Sequence, residues 1–428
     1  MTTPSHPRVR QLELVPLGKD HEGMYVLRDP HGYSGSAALP AEAAMLVTLM
    51  DGKRSLGQLR QEFERAFGKS LTLTDVERIT NQLDDGYFLD NDRFDRHKSH
   101  MISEYRQLDV RPAAHAGAAY ADSPDSLRTQ LEELFVCQEG PGLLPREGST
   151  RTDYVLDSER RLGGLMTPHI DFQHGGPTAA WAFDRLVTES NAKLFVILGT
   201  AHTLLRGLFS VSRKHFETPL GTVNTDRDFI DSLADHLSTR LPKQKVEAIF
   251  DDEYPHRQEH SIEFQTVMLQ YALEGRRDYK IVPILVGSFH PFVLANRSPG
   301  NAPEVAEFVS ALRKTIDACP GEVCFIAGVD LAHIGQQFGD KEILSKGRLT
   351  EQWTDDQQLL AAACEGDPEA WFIHVAAQQD RNRICGLAPT YLLLETIRPE
   401  RGEMLRYDQA VAADLSSCIS FASVAFYV

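Results

Sequence analysis

The sequence predicts an α/β protein: a three-layer α/β domain over residues 110–428, preceded by a small winged-helix-like domain over residues 1–95. Three observations carry this. The apolar runs Leu194–Gly199, Lys280–Gly287 and Val323–Val329 read as strands buried on both faces. Helical stretches lie between them, with Phe229, Leu233 and Leu237 in one, Glu263 to Tyr271 in a second, and Val305, Phe308, Val309 and Leu312 in a third. Strands alternating with covering helices give three layers. The first 95 residues instead read as three short helices and a strand.

In the first domain, Leu12, Leu14 and Val15 precede a hairpin around Met24–Leu27, and Arg28-Asp29-Pro30-His31-Gly32 supplies turn residues. Pro40-Ala41-Glu42 opens a helix that buries Ala44, Leu46, Val47 and Met50 and ends at Asp51-Gly52. Ser55 opens a second helix, with Leu59, Phe63 and Phe67 on one face and Gly68 as its stop. Thr74 and Glu77 have capping-box spacing for a third, with Val76, Ile79 and Leu83 buried. Asp85-Gly86-Tyr87-Phe88-Leu89 reads as a turn into a short strand. Residues 90–110 are charged and read as a linker with some helix. A second surface loop is expected over 140–160.

In the second domain Leu165-Met166-Thr167-Pro168 is a short strand. Gly175-Gly176-Pro177 is expected to turn into a helix beginning at Ala179. Cys418–Phe426 is the closing strand.

Composition bounds the functions. The 428 residues are 42% hydrophobic and 25% charged, enough for two or three soluble domains. The net charge of -17 disfavours nucleic acid and anionic membrane as partners. No apolar stretch approaches the roughly 18 residues of a membrane span, and the N-terminus has no secretory h-region, so the cytoplasm is the expected compartment. Six cysteines are widely spaced and none forms CxxC, which argues against a zinc knuckle or a disulfide scaffold.

Chemistry concentrates where apolar runs end. His169 follows one strand and His202 another, the positions that face the ligand crevice of an open α/β sheet. Each could instead bond a neighbouring loop. His174 is placed at the pocket rim. Glu259-His260-Ser261-Ile262-Glu263 opens a helix, and its two carboxylates, four apart, can share a face. Glu263 alone is also explained as a complement to the helix dipole. Asp330 and His333 converge if the chain turns helically there, and an Asp–His contact fixes a tautomer. Cys385 lies near a helix start and basic side chains, where a thiol pKa is lowered; the alternative is a buried, inert cysteine.

Taken in order, these segments resemble the Memo family, in particular the microbial AmmeMemoRadiSam system protein B. The resemblance rests on Glu259-His260-Ser261-Ile262-Glu263, Thr218-Pro219-Leu220-Gly221 with Asp226, Asp330-Leu331-Ala332-His333, Ile384-Cys385-Gly386, and His115-Ala116-Gly117 followed by Tyr120. It implies a fold similar to class III extradiol dioxygenases. It also implies a cleft lined by His169, His202, Asp330, His333 and Cys385, with His169, His202 and Cys385 as metal ligands and His260 near the same pocket. Two motifs depart from the family pattern: Pro168-His169-Ile170-Asp171-Phe172 stands for Pro-His-Ala-Gly-Tyr, and Ala201-His202-Thr203 for a Ser-His-His-like segment. The histidines survive both changes. The first domain resembles PqqD-like peptide-recognition modules, through its apolar helix, the Asp51-Gly52 to Leu59 turn and the closing Leu83–Leu89 segment.

The expected cofactor is a transition metal: iron, copper or zinc. His333, His260 and Asp330 are the acid–base candidates, and Glu259, Glu263 and His174 complete the pocket. Three functions are compatible: a metal-dependent oxidoreductase of unknown substrate, a non-enzymatic peptide-binding module, or a metal-dependent hydrolase. The cleft would take a small molecule or peptide. The family name implies a radical S-adenosylmethionine protein and an AMMECR-type protein as partners.

Overall fold

The structure is a computed structural model that describes residues 3–17, 23–145 and 161–428. The chain divides into two compact units, Met1–Leu108 and Asp109–Val428. Of the loop expected over 140–160, residues 146–160 lie outside the described residues.

The first unit opens with an antiparallel sheet, β1 (Glu13–Pro16), β2 (Met24–Arg28) and β3 (Ala37–Pro40), in that order. Asp29 holds the turn after β2. Its carboxylate accepts from the backbone N–H groups of His31, Tyr33 and Ser34 and pairs with Arg10 at 2.9 Å. Four helices follow: α1 (Ala41–Leu49), α2 (Leu56–Phe67), α3 (Leu73–Asp85) and α4 (Asp92–Gln107). Leu27, Leu46, Val47, Leu59, Phe63, Val76, Leu83 and Phe88 form the core.

Three expectations for this unit are corrected. Helix α3 starts earlier, capped by Thr72 and Asp75 rather than Thr74 and Glu77; the same spacing recurs two residues upstream, and Leu73 can be helical. The strand after α3 is only a bridge between Val9 and Leu89, because Tyr87 at φ 62 turns the chain sharply. The charged stretch, read as a linker with some helix, is a single helix over Asp92–Gln107 and belongs to the first unit. Asn91 caps it, and Phe94 and Tyr105 are its buried side chains.

The second unit begins with β4 (Val110–Arg111) and α5 (Pro124–Val136), then β5 (Leu162–Thr167), α6 (Phe172–Glu189) and β6 (Leu194–Thr200). Next come β7 (Phe209–Val211), β8 (His215–Thr218), β9 (Gly221–Val223), α7 (Arg227–Ser238), α8 (Lys243–Phe250) and α9 (His260–Leu273). The chain continues through β10 (Lys280–Val286), α10 (His290–Ala295), α11 (Pro303–Asp317), β11 (Val323–Gly328) and β12 (His333–Ile334). It ends with α12 (Lys346–Cys364), α13 (Pro368–Ala377), α14 (Leu387–Ile397) and the hairpin β13 (Arg401–Val411) and β14 (Cys418–Tyr427).

The main sheet runs β12-β14-β5-β11-β6-β10-β7, with β13 on the other side of β14. Its centre, β5-β11-β6-β10, is parallel; β14 and β7 are antiparallel to their neighbours. Side chains of the central strands alternate between two cores. Phe195, Ile197, Cys324 and Ile326 pack with the buried faces of α5, α6 and α9. Val196, Leu198, Phe325 and Ala327 pack with those of α7, α11, α13 and α14. That is why these strands read as unbroken apolar runs, each large side chain worth about 1.5–3 kcal/mol of burial.

Helix α6 corrects a further expectation. It begins at Phe172, capped by Asp171, and runs straight through Gly175, Gly176 and Pro177. The glycines are there for closeness, not for a turn. A Cβ at Gly175 would overlap Ile170, and one at Gly176 would overlap Leu134.

Candidate metal centre

The carboxyl ends of β5, β6 and β11 lie side by side in register and deliver three loops to one place. The N-terminus of α9 closes over them. It comes this near because Gly199 and Gly328 have no Cβ: one at Gly199 would overlap Ser261 and Ile262, and one at Gly328 the Ser261 carbonyl.

His169, just past β5, is buried. Its N–H donates to Asp330 Oδ1 at 3.0 Å, and its Nδ1 lies 2.8 Å from the Gly328 carbonyl oxygen. A carbonyl only accepts, so Nδ1 carries the proton and Nε2 is left with its lone pair. Burial, reinforced by His202, pushes its pKa down to about 3.

His202, past β6, is oriented by Glu259. The carboxylate accepts from the His202 backbone N–H and from Nδ1, both at 2.9 Å, which again frees Nε2. Burial works against the imidazolium, but Glu259 outweighs it and the His202 pKa is raised. Glu259 is buried too; burial would raise its pKa, and His202 and the other donors hold it well below the usual carboxylate range. The same carboxylate caps α9 by accepting from Ser261 N–H at 3.2 Å.

His260, the first residue of α9, stacks on His202 with ring centroids 4.6 Å apart. It stands edge-on to His169 at 5.2 Å. Burial lowers its pKa to about 3, so it too is a neutral imidazole.

Asp330 sits beyond β11. It accepts from His169 and Ile170 N–H through Oδ1, and its Oδ2 is 3.5 Å from His169 Nε2. Burial raises its pKa to about 6 despite His333. His333 does not reach Asp330 by a helical turn: it opens the short strand β12 and pairs with β14. Its Nδ1 lies 3.2 Å from the carbonyls of both Leu331 and Arg383, leaving Nε2 free. Burial lowers its pKa, opposed by Asp330.

Cys385 lies just before α14. Its Sγ is 3.5 Å from His169 Nε2 and 3.4 Å from the Asp330 carbonyl oxygen. The lowered thiol pKa is a wrong expectation. Burial and then the Asp330 charge push it well above the ordinary value, and among the described residues no Lys or Arg acts on the sulfur to reverse that.

Two groups of ligand-type atoms result, each with all its atoms within 4.8 Å of one another: His169, His202 and His260, and His169, Asp330 and Cys385. His169 belongs to both. His202 and Cys385 fall in different groups.

The three expected pocket residues all lie outside both groups; Glu259 borders them by orienting His202, and the other two stand further off. His174 is in the first turn of α6, half exposed, with Nδ1 2.9 Å from Asp171. Glu263 does not share a face with Glu259, because Glu259 is the cap and lies outside the helix proper. Glu263 pairs with Arg111, accepts from Ala114 and His115 N–H, and accepts from the Tyr120 hydroxyl. It therefore anchors residues 111–120. Sequence reasoning missed that anchor, and it missed Arg383, whose φ of 54 and bond to the His333 carbonyl shape the loop before Cys385. Its one signal was an arginine in the run Arg381-Asn382-Arg383 directly before the cysteine.

The model of the family described as Memo-like protein matches residues 111–425. A MEMO1 family protein of Aquifex aeolicus is 25% identical over 98% of this chain and all of its own length. One from Methanobrevibacter smithii is 29% identical, and one from Sulfolobus acidocaldarius 30%; each is matched over 74% of this chain and 99% of itself. The archaeal proteins thus match one region about the size of the second unit, and the Aquifex protein matches nearly the whole chain.

Proposed function

The chain belongs to the Memo-like family, and on that premise and the geometry of the cleft we propose that it is a metal-dependent oxidoreductase acting on a small molecule. His169 and Cys385 would hold the metal, with His202 as the third ligand once its ring and the Cys385 thiol, which fall in different groups here, draw together. The observation that carries this is the 3.5 Å between His169 Nε2 and Cys385 Sγ. With bonds of about 2.05 Å to nitrogen and 2.3 Å to sulfur, two ligands of one tetrahedral ion stand roughly 3.5 Å apart. The fixed Nδ1 protons of His169 and His202 supply the right tautomers.

Iron or copper in such a site supplies redox chemistry, and zinc Lewis-acid chemistry. The protein's own groups do the rest. His260 and His333 are neutral bases whose positions are set by α9 and by the Leu331 and Arg383 carbonyls. Asp330, with a pKa near 6, holds a proton at mildly acid pH, and its Oδ2 lies 3.5 Å from His169 Nε2. The free Nε2 of His333 also supports a second reading, a zinc hydrolase with His333 as general base.

The resemblance extends the proposal. The second unit would share its layering with class III extradiol dioxygenases. The first unit, a three-stranded sheet with helices, would be a PqqD-like, winged-helix peptide module. A radical S-adenosylmethionine protein and an AMMECR-type protein would be the partners, in the cytoplasm. Among the described residues no helix is long and apolar enough to cross a membrane.

The test is elemental analysis after anaerobic purification. About one metal per chain is expected, lost in His169→Ala, His202→Ala and Cys385→Ala and kept in His260→Ala. Loss in His260→Ala with retention in Cys385→Ala would assign the three histidines instead. Full retention in the His169→Ala, His202→Ala double variant would remove the site altogether. Metal identity then divides the readings: zinc with air-independent turnover favours the hydrolase.

A further inference from the structure

We propose that Asp355 and Asp356, neighbours on α12, are positioning residues for His333: through two chains of hydrogen bonds they hold the two carbonyls that fix its ring. The inference rests on the reading of His333 as a base with a free Nε2. Its Nδ1 lies 3.2 Å from the carbonyl oxygens of Leu331 and Arg383. Carbonyls only accept, so the pair selects the Nδ1–H tautomer. Each carbonyl is kept in place by its own chain of bonds, and both chains end on α12.

The Arg383 arm runs through Asn382, which is buried. The Asn382 backbone carbonyl accepts from the His333 N–H at 2.8 Å. Arg348 Nη2 donates to the Asn382 side-chain oxygen at 2.7 Å, which turns the amide nitrogen toward Asp355 Oδ2 at 2.9 Å. Asp355 Oδ1 accepts from Gln378 Nε2 at 2.7 Å and from His374 Nε2 at 3.0 Å. One carboxylate thus ties together both ends of the segment 378–382. The loop needs tying: Gln379, Asp380 and Arg383 have φ of 52, 51 and 54, a left-handed backbone that residues other than glycine adopt at a cost.

The Leu331 arm runs through β14. Ser420 accepts from the Leu331 N–H on its carbonyl at 2.8 Å and from the Ala332 N–H on its Oγ at 3.0 Å. The Ser420 hydroxyl bonds in turn to Asp356, whose carboxylate also accepts from Gln352 and Tyr407. Ser420, Gln352 and Asp356 are all buried. Among the described residues neither acid bonds to His333 itself, so both act on it through the loops. Adjacent residues of one helix therefore grip the two carbonyls from two sides.

The test is long-range proton–nitrogen NMR correlation of the full chain with labelled histidine. It reads the ratio of Nδ1–H to Nε2–H rings at His333, assigned by the signals lost in His333→Ala. Asp355→Asn keeps the shape, but an amide cannot accept from Asn382 on one side and from Gln378 on the other. The net worth of one hydrogen bond lost should lower the ratio about two- to tenfold, and Asp356→Asn should lower it as well. Asp355→Asn combined with Asn382→Asp again sets a donor against an acceptor at each contact and should restore the ratio. If a single variant does not fold, Arg348→Met and Ser420→Ala cut the same two arms further along and carry the same expectation. A merely structural role lowers stability without moving the tautomer. An unchanged ratio in either folded variant, or a lowered ratio that the Asp355–Asn382 exchange does not restore, overturns the inference. An Nε2–H ring in the parent is a distinct result: it removes the free Nε2 on which the reading of His333 as a base rests, and the inference falls with it.

Discussion

Glu259→Gln should weaken metal binding about 10–100-fold, although Glu259 is not itself a proposed ligand. The carboxylate accepts on both oxygens: Oε2 from the His202 backbone N–H, Oε1 from His202 Nδ1 and Ser261 N–H. An amide cannot do this. With its NH2 in the Oε2 place it faces the His202 N–H, donor against donor. With its NH2 in the Oε1 place it faces Ser261 N–H, and His202 Nδ1 can only accept. The His202 proton then moves to Nε2, the atom proposed to bind metal. Shape and volume are kept, so the loss reads out tautomer and charge. The affinity change corresponds to about 1.4–2.7 kcal/mol. Chelator competition under anaerobic conditions measures it, with His202→Ala as the reference for full loss. If Glu259→Gln binds metal within about twofold of the parent while His202→Ala does not bind, the orienting role is wrong.

Three further outcomes are expected. Asp356 is buried between Gln352 and Tyr407, and burial raises its pKa to about 6. The folded state therefore binds its proton more tightly than the unfolded one. Stability from this group is complete below about pH 4 and lost as pH rises through about 6, a deficit of about 2–3 kcal/mol by pH 8. Urea midpoints at the two ends should show that slope in the parent and not in Asp356→Asn, and an identical slope in both refutes the assignment. Glu263→Ala leaves the Arg111 guanidinium buried and unpaired, which should cost about 3–5 kcal/mol and release amide exchange in residues 111–120. Protection there as in the parent would show that the segment is held by something else. Gly328→Ala pushes the new methyl into the Ser261 carbonyl and should cost about 1–3 kcal/mol. It should also lower metal occupancy, because the Gly328 carbonyl orients His169; unchanged occupancy would argue against that dependence.

The strands β6, β10 and β11 were legible because burial on both faces leaves no polar residue to break the run, and helix α2 because its Ser55 cap is a local bond. Strand β13 escaped notice: it pairs on one side only, and Arg401, Glu403, Arg406 and Asp408 interrupt any apolar pattern. The start of α6 was misplaced for a different reason. Gly-Gly-Pro has poor helix propensity, yet Asp171 caps the helix ahead of it, and the glycines leave room for Ile170 and Leu134.

The same division runs through the site. The sequence by itself determined that His169, His202 and Asp330 follow apolar strands, which made them candidates from chain position, while His333 opens a strand and Cys385 precedes a helix. Only the tertiary structure decided which of their atoms meet. It split Glu259 from Glu263 by making one a cap and the other an anchor, and it put His260 against His202. It also reversed the expected direction of the Cys385 pKa, since desolvation depends on what lies around the sulfur and not on what precedes it in the chain. Strand ends follow from local pattern. Proton positions and ligand grouping follow from distances between segments up to about two hundred residues apart, and no spacing within one segment encodes those.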